Sequence, residues 1–78
     1  MKKPKIKALS DSEDIRIYIN DILHIRLPRD KNTKVQSWIE GNTKTYIIEI
    51  WCSLHSDLYV YDNKFMWVEI LKEIDKHL

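Results

Sequence analysis

The segment Lys44 to Cys52, KTYIIEIWC, is apolar on both faces when it is extended, and this constrains the fold more than any other stretch of the chain. Side chains alternate across a strand, so Tyr46, Ile48 and Ile50 share one face and Ile47 and Trp51 share the other, where only Glu49 interrupts them. A chain of 78 residues builds one layer of helix over one face of a small sheet. The second face must then find cover elsewhere, which predicts self-association or binding.

Domains this small commonly rely on a disulfide, a metal or a partner chain. Cys52 is the single cysteine, so no intrachain disulfide forms, and a reducing, cytoplasmic setting is expected. The opening MKKPKIKALSDSED has basic residues without the apolar run of a signal peptide. No stretch approaches the roughly 18 apolar residues of a membrane span, so a soluble protein with no membrane partner is expected. Hydrophobic residues at 44% beside 32% charged argue for a folded globule over a disordered chain. The formal net charge of +1 selects no partner.

Charge is unevenly placed. Lys2, Lys3, Lys5 and Lys7 precede Asp11, Glu13 and Asp14, and residues 1–9 read as a flexible basic arm ahead of one compact domain over 10–78. A second basic cluster, Arg26, Arg29, Lys31 and Lys34, surrounds Pro28 and Asn32 in a predicted loop.

Residues 10–27, SDSEDIRIYINDILHIRL, fit two periods. As a helix they gather Ile15, Tyr18, Ile19, Ile22, Leu23, Ile25 and Leu27 on one arc, with capping-box spacing at Ser10 and Glu13 and a stop at Pro28. As strand, Ile15, Ile17, Ile19, Leu23, Ile25 and Leu27 alternate, and Asn20-Asp21 must turn. A two-residue turn pairs Ile19 with Ile22 but carries His24 and Arg26 onto the face of Ile15 and Ile17. That conflict favours the helix.

Further on, KVQSWIE and TKTYIIEIWC flank Gly41-Asn42, which predicts a tight hairpin pairing Trp38 with Thr45, Ser37 with Tyr46, Gln36 with Ile47 and Val35 with Ile48. One face then holds Val35, Ile39, Tyr46, Ile48 and Ile50, and the other Trp38, Ile47 and Trp51. CSLHSD reads as a turn into a third strand, DLYVY. One residue of loop length decides whether Leu58 and Val60 or Tyr59 and Tyr61 join the tryptophan face. Asp62 is the expected N-cap of a last helix whose Trp67, Ile70, Leu71, Ile74 and Leu78 recur at helical spacing, with Lys76 and His77 at its end.

The expected fold is α+β: a small antiparallel three-stranded meander sheet with an N-terminal and a C-terminal helix. The strand reading of 10–27 gives the alternative, a four- to five-stranded antiparallel sheet with one C-terminal helix. Double-stranded RNA-binding domains share the first order of elements. Their glycine- and lysine-rich start of the second helix is absent here, where the chain reads Asp62-Asn63-Lys64-Phe65-Met66, so no family is assigned.

Little in the chain points to catalysis. His24, His55 and His77 share no ligand spacing, so neither a metal nor another cofactor is expected. Cys52 and His55 are the one candidate nucleophile and base, and a strand-end thiol beside a turn histidine is explained without chemistry. With one glycine there is no phosphate-cradling loop. The expected function is therefore that of a non-catalytic interaction protein, a homodimer joined through an aromatic sheet face of Trp38, Ile47, Trp51, Tyr59 and Tyr61, with a different protein as a further candidate partner. The alternative is nucleic-acid binding. Lys2, Lys3, Lys5, Lys7, Arg26, Arg29, Lys31 and Lys34 would contact phosphates while aromatics stack on bases at about 1–3 kcal/mol each, and Glu40 and Glu49 oppose it.

Overall fold

The computed structural model describes residues 3–42, 44–53 and 56–78, which form six strands followed by one helix. β1 (Ile6–Ser10), β2 (Asp14–Ile19) and β3 (Ile22–Pro28) make one antiparallel sheet in that order. β4 (Lys34–Ile39), β5 (Tyr46–Trp51) and β6 (Ser56–Tyr61) make a second, and α1 (Lys64–His77) follows.

The N-terminal helix expected over 10–27 is thus a β-hairpin, and one extra residue explains why. Asn20 and Asp21 turn the chain with φ of 51° and 67°, a left-handed pair whose twist matches the flanking strands, and Ile19 pairs with Ile22. The conflict in this reading is removed by a β-bulge. Ile17 pairs with Ile25 but Tyr18 pairs with Leu23, so His24 is the inserted residue. Beyond the bulge Leu27 opposes Ile15, and all four of Ile15, Ile17, Ile25 and Leu27 are buried.

Residues 6–9, expected within a flexible arm, are strand. Ile6 and Ala8 pair with Ile19 and Ile17, and the Asn20 amide donates to the Lys5 carbonyl at 2.9 Å while the Lys5 amide donates to the Asn20 side chain at 3.0 Å.

In the second sheet the expected faces hold but the expected register does not. Trp38 pairs with Ile47, Ser37 with Ile48 and Val35 with Ile50, because the loop is longer than the two residues Gly41-Asn42 and closes where the Glu40 amide donates to the Thr45 carbonyl. Gly41 takes φ +57° inside it. A shift by an even number of residues leaves every side chain on its own face.

Both sheets feed one core. Ile15, Ile17, Ile19, Ile25 and Leu27 meet Ile48 and Ile50 of the second sheet and Ile70 and Ile74 of α1. Burying each such side chain favours folding by roughly 1.5–3 kcal/mol. α1 packs against β1, β2, β5 and β6. Its N-cap is Asn63, whose side chain accepts from the Met66 amide at 3.2 Å, in place of the expected Asp62. Trp67 sets its ring 5.4 Å from that of Tyr46, tilted by 41°, and donates its indole N–H to the Ile47 carbonyl at 3.0 Å, while Leu78 lies outside the packed stripe and is exposed.

The protein is therefore neither a single three-stranded sheet under two helices nor a single sheet of four or five strands. Its described residues form two three-stranded sheets and a single C-terminal helix, and the order shared with double-stranded RNA-binding domains ends with the strands found where its first helix was expected. Among the described residues no helix is long and apolar enough to cross a membrane.

Because Asp21 holds a left-handed conformation that glycine adopts without strain, Asp21→Gly should raise stability by about 1 kcal/mol. Thermal unfolding should register this as a rise in Tm of roughly 4–8 °C for a chain of this size. An unchanged or lower Tm would contradict the turn described.

Candidate interaction surface

The register of β4, β5 and β6 arranges the outer face of the second sheet in three rows. Trp38, Ile47 and Val60 form one, Gln36, Glu49 and Leu58 the next, and Lys34, Trp51 and Ser56 the third. Opposite the face, Tyr46, Ile48 and Ile50 turn toward α1 and the first sheet. The helix therefore covers the inner side.

The outer face is mostly apolar, with a carboxylate at its centre. Leu58 is 54% and Val60 57% exposed, Trp38 and Trp51 are half-buried, and Ile47 is only 6% exposed because its row neighbours Trp38 and Val60 flank it. The Trp38 indole N–H donates to the Glu40 carboxylate at 2.7 Å, which fixes the ring at the edge of the face.

Tyr59 and Tyr61, expected among the surface aromatics, lie on the inner side. Tyr59 pairs with Ile48 and Tyr61 with Tyr46, and both pack against the core cluster. Burial raises both phenol pKa values, that of Tyr61 to about 12 with Tyr59 adding to it, and the Asp57 charge adds to the rise at Tyr59. A hydrogen bond to the Arg26 backbone opposes the rise at Tyr59 and ties β6 to β3. The short connection from Trp51 to its partner Ser56 sets this parity, and it brings Leu58 and Val60 onto the tryptophan face instead.

The expected phosphate contacts are not gathered on one surface. Lys2 lies outside the described residues. Lys3 sits 5.0 Å over the Phe65 ring, Lys5 precedes β1 and is bonded to Asn20, Lys7 belongs to β1, and Lys31 is exposed in the turn before β4. Arg26 donates to Asp14 at 2.5 Å, which raises its pKa, and Arg29 donates to the Asp11 carbonyl at 2.7 Å. Lys34 is the one that its register places on the tryptophan face.

His55, the base of the candidate dyad, lies outside the described residues, and Cys52 is half-buried and in no disulfide. His24 is exposed at the bulge, and His77 Nδ1 is 2.9 Å from the Ser10 hydroxyl. Among the described residues no cluster of three His, Cys, Asp or Glu side chains could hold a metal ion.

The raised Tyr61 pKa has a consequence at high pH. A phenol that keeps its proton up to about 12 when folded, against 10.0 when free, stabilises the fold below pH 10 and loses that contribution as pH rises through 12. Denaturation midpoints should fall across this window, and Tyr61→Phe should flatten the fall. A phenolate titration with every tyrosine ionising near 10 would contradict the inner placement.

No family model matches this chain, and neither a curated protein nor a solved structure does.

Proposed function

We propose that the protein is a small non-catalytic interaction protein that works as a homodimer joined through its second sheet. The observation that carries this reading is the outer face of that sheet, where Trp38, Ile47, Trp51, Leu58 and Val60 lie together on the side away from α1. Contiguous exposed apolar side chains rimmed by polar residues mark interaction sites, and tryptophan supplies large contact area in them. A second copy is the occupant that the chain itself provides, and a homodimer offers the same patch twice.

Nucleic-acid binding has less support. Phosphate neutralisation dominates such affinity, and here Arg26 and Arg29 are engaged by Asp14 and Asp11 while the lysines are spread over both sheets.

Light scattering coupled to size exclusion, over about a hundredfold in concentration, should give twice the 9.4 kDa of one chain at the upper end. Trp38→Glu, on the strand at the sheet edge, should return the mass to that of one chain with circular dichroism unchanged. A wild-type monomer throughout would overturn the reading.

A further inference from the structure

We propose that the homodimer forms by edge-to-edge pairing of β4 with β4 of a second copy, antiparallel and centred on Ser37, so that the two second sheets become one sheet of six strands. This rests on the self-association proposed above and places its seam at the β4 edge of the same sheet, so that of the apolar outer face only the margin carrying Trp38 meets the second copy.

Hydrogen-bond parity gives the first reason. The Glu40 amide bonds the Thr45 carbonyl, and in an antiparallel ladder such pairs recur at every second residue. Trp38, Gln36 and Lys34 therefore turn their backbone groups toward β5. Ile39, Ser37 and Val35 turn theirs outward, and among the described residues no backbone hydrogen bond reaches those outward groups. Gln36, Ser37 and Ile39 are exposed. The strand has no proline or bulge to blunt its edge, and its one lysine stands at its start.

The sequence of the edge gives the second. Under a twofold axis normal to the sheet, centring on Ser37 sets Ser37 against itself and Val35 against Ile39 of the second copy. All are outward-bonding residues, and about six new backbone hydrogen bonds follow. On the outer face the same register sets Lys34 against Glu40 and Gln36 against Trp38, twice over. Opposite charges thus meet on the outer face, and the apolar pair Val35 and Ile39 meets on the inner one. Centring on Gln36 would instead oppose Lys34 to Trp38 and carry Ile39 and Glu40 past the end of the partner strand.

Packing is compatible with this arrangement. A groove lined by Val35, Ser37, Val68, Leu71, Ile74 and Leu78 runs between β4 and α1, and Ile39 of the second copy, 47% exposed in one chain, would sit beside Val35 at its mouth. Three strand spacings, about 14 Å, would separate β5 from its symmetry mate. Packed helices need about 8–10 Å, so the two copies of α1 clear one another. Stacking the two outer faces on each other is the competing geometry. It brings the central Glu49 carboxylates together in a desolvated contact, with like charges opposed. In the edge-joined dimer the two tryptophan faces instead become one continuous surface.

A charge-reversal cycle read by sedimentation at low salt tests the register. Lys34→Glu and Glu40→Lys should each weaken the dimer about tenfold or more, since each turns two favourable cross-strand pairs into two repulsive ones. The double variant should recover to within about threefold of the wild type. Within one chain Lys34 begins β4 and Glu40 directly follows its end, about 20 Å apart, so recovery reports pairing between copies. A wild-type dimer indifferent to both single reversals, or single losses without recovery in the double variant, would overturn the edge register while leaving self-association in place. A wild-type monomer would remove the self-association reading itself.

Discussion

One inserted residue, His24, decides which side chains the first sheet offers to the core. A two-residue turn at Asn20-Asp21 reverses the parity of the chain, and the bulge reverses it again, so that Ile25 and Leu27 return to the face of Ile17 and Ile15. Without it Arg26 would point into the cluster and two of its buried aliphatics would point out. Five of the nine cluster residues belong to this hairpin, and Ile48, Ile50, Ile70 and Ile74 close onto them.

The same bulge sets the polar side of the sheet. Arg16 and Arg26 are direct cross-strand partners of like charge, and Asp14, 5% exposed, stands between them. Arg26 donates to one of its oxygens, and Arg16 Nε lies 3.3 Å from the other. Asp11 accepts from the amides of Asp14 and Glu13, which hold its carboxyl below its ordinary pKa, and it pairs with Arg16 at 3.1 Å. These contacts fix the link from β1 to β2, and Arg29 joins it from β3 through the Asp11 and Glu13 carbonyls.

Where a single period ran without insertion, the sequence was readable. The α1 stripe through Ile70 and Ile74 and the two faces of the hairpin of β4 and β5 are visible in the spacing alone. Residues 10–27 were not, because an odd-numbered alternation from Ile15 to Leu27 continues straight through the turn. That continuity is what a two-residue turn followed by one bulged residue produces, yet it also fits a helical arc. The register of the second sheet escaped for a related reason: a longer loop moves the pairing by an even step and leaves the faces unchanged, so no hydrophobic pattern records it. Of the aromatic surface, Trp38, Ile47 and Trp51 were legible from strand alternation. Whether Tyr59 and Tyr61 or Leu58 and Val60 join them is open in the sequence, because the parity of β6 depends on the length of a connection that carries no period.

What remains unclosed is the second sheet, apolar on its outer face and unpaired along β4. Residue-resolved amide hydrogen exchange at low and high protein concentration tests this most directly. In dilute solution the amides of Val35, Ser37 and Ile39 should exchange fast while those of Gln36 and Trp38 are protected. At high concentration all five should be slow. Protection of Val35, Ser37 and Ile39 that is already complete in dilute solution, or fast exchange at every concentration, would contradict a free edge that a second copy covers.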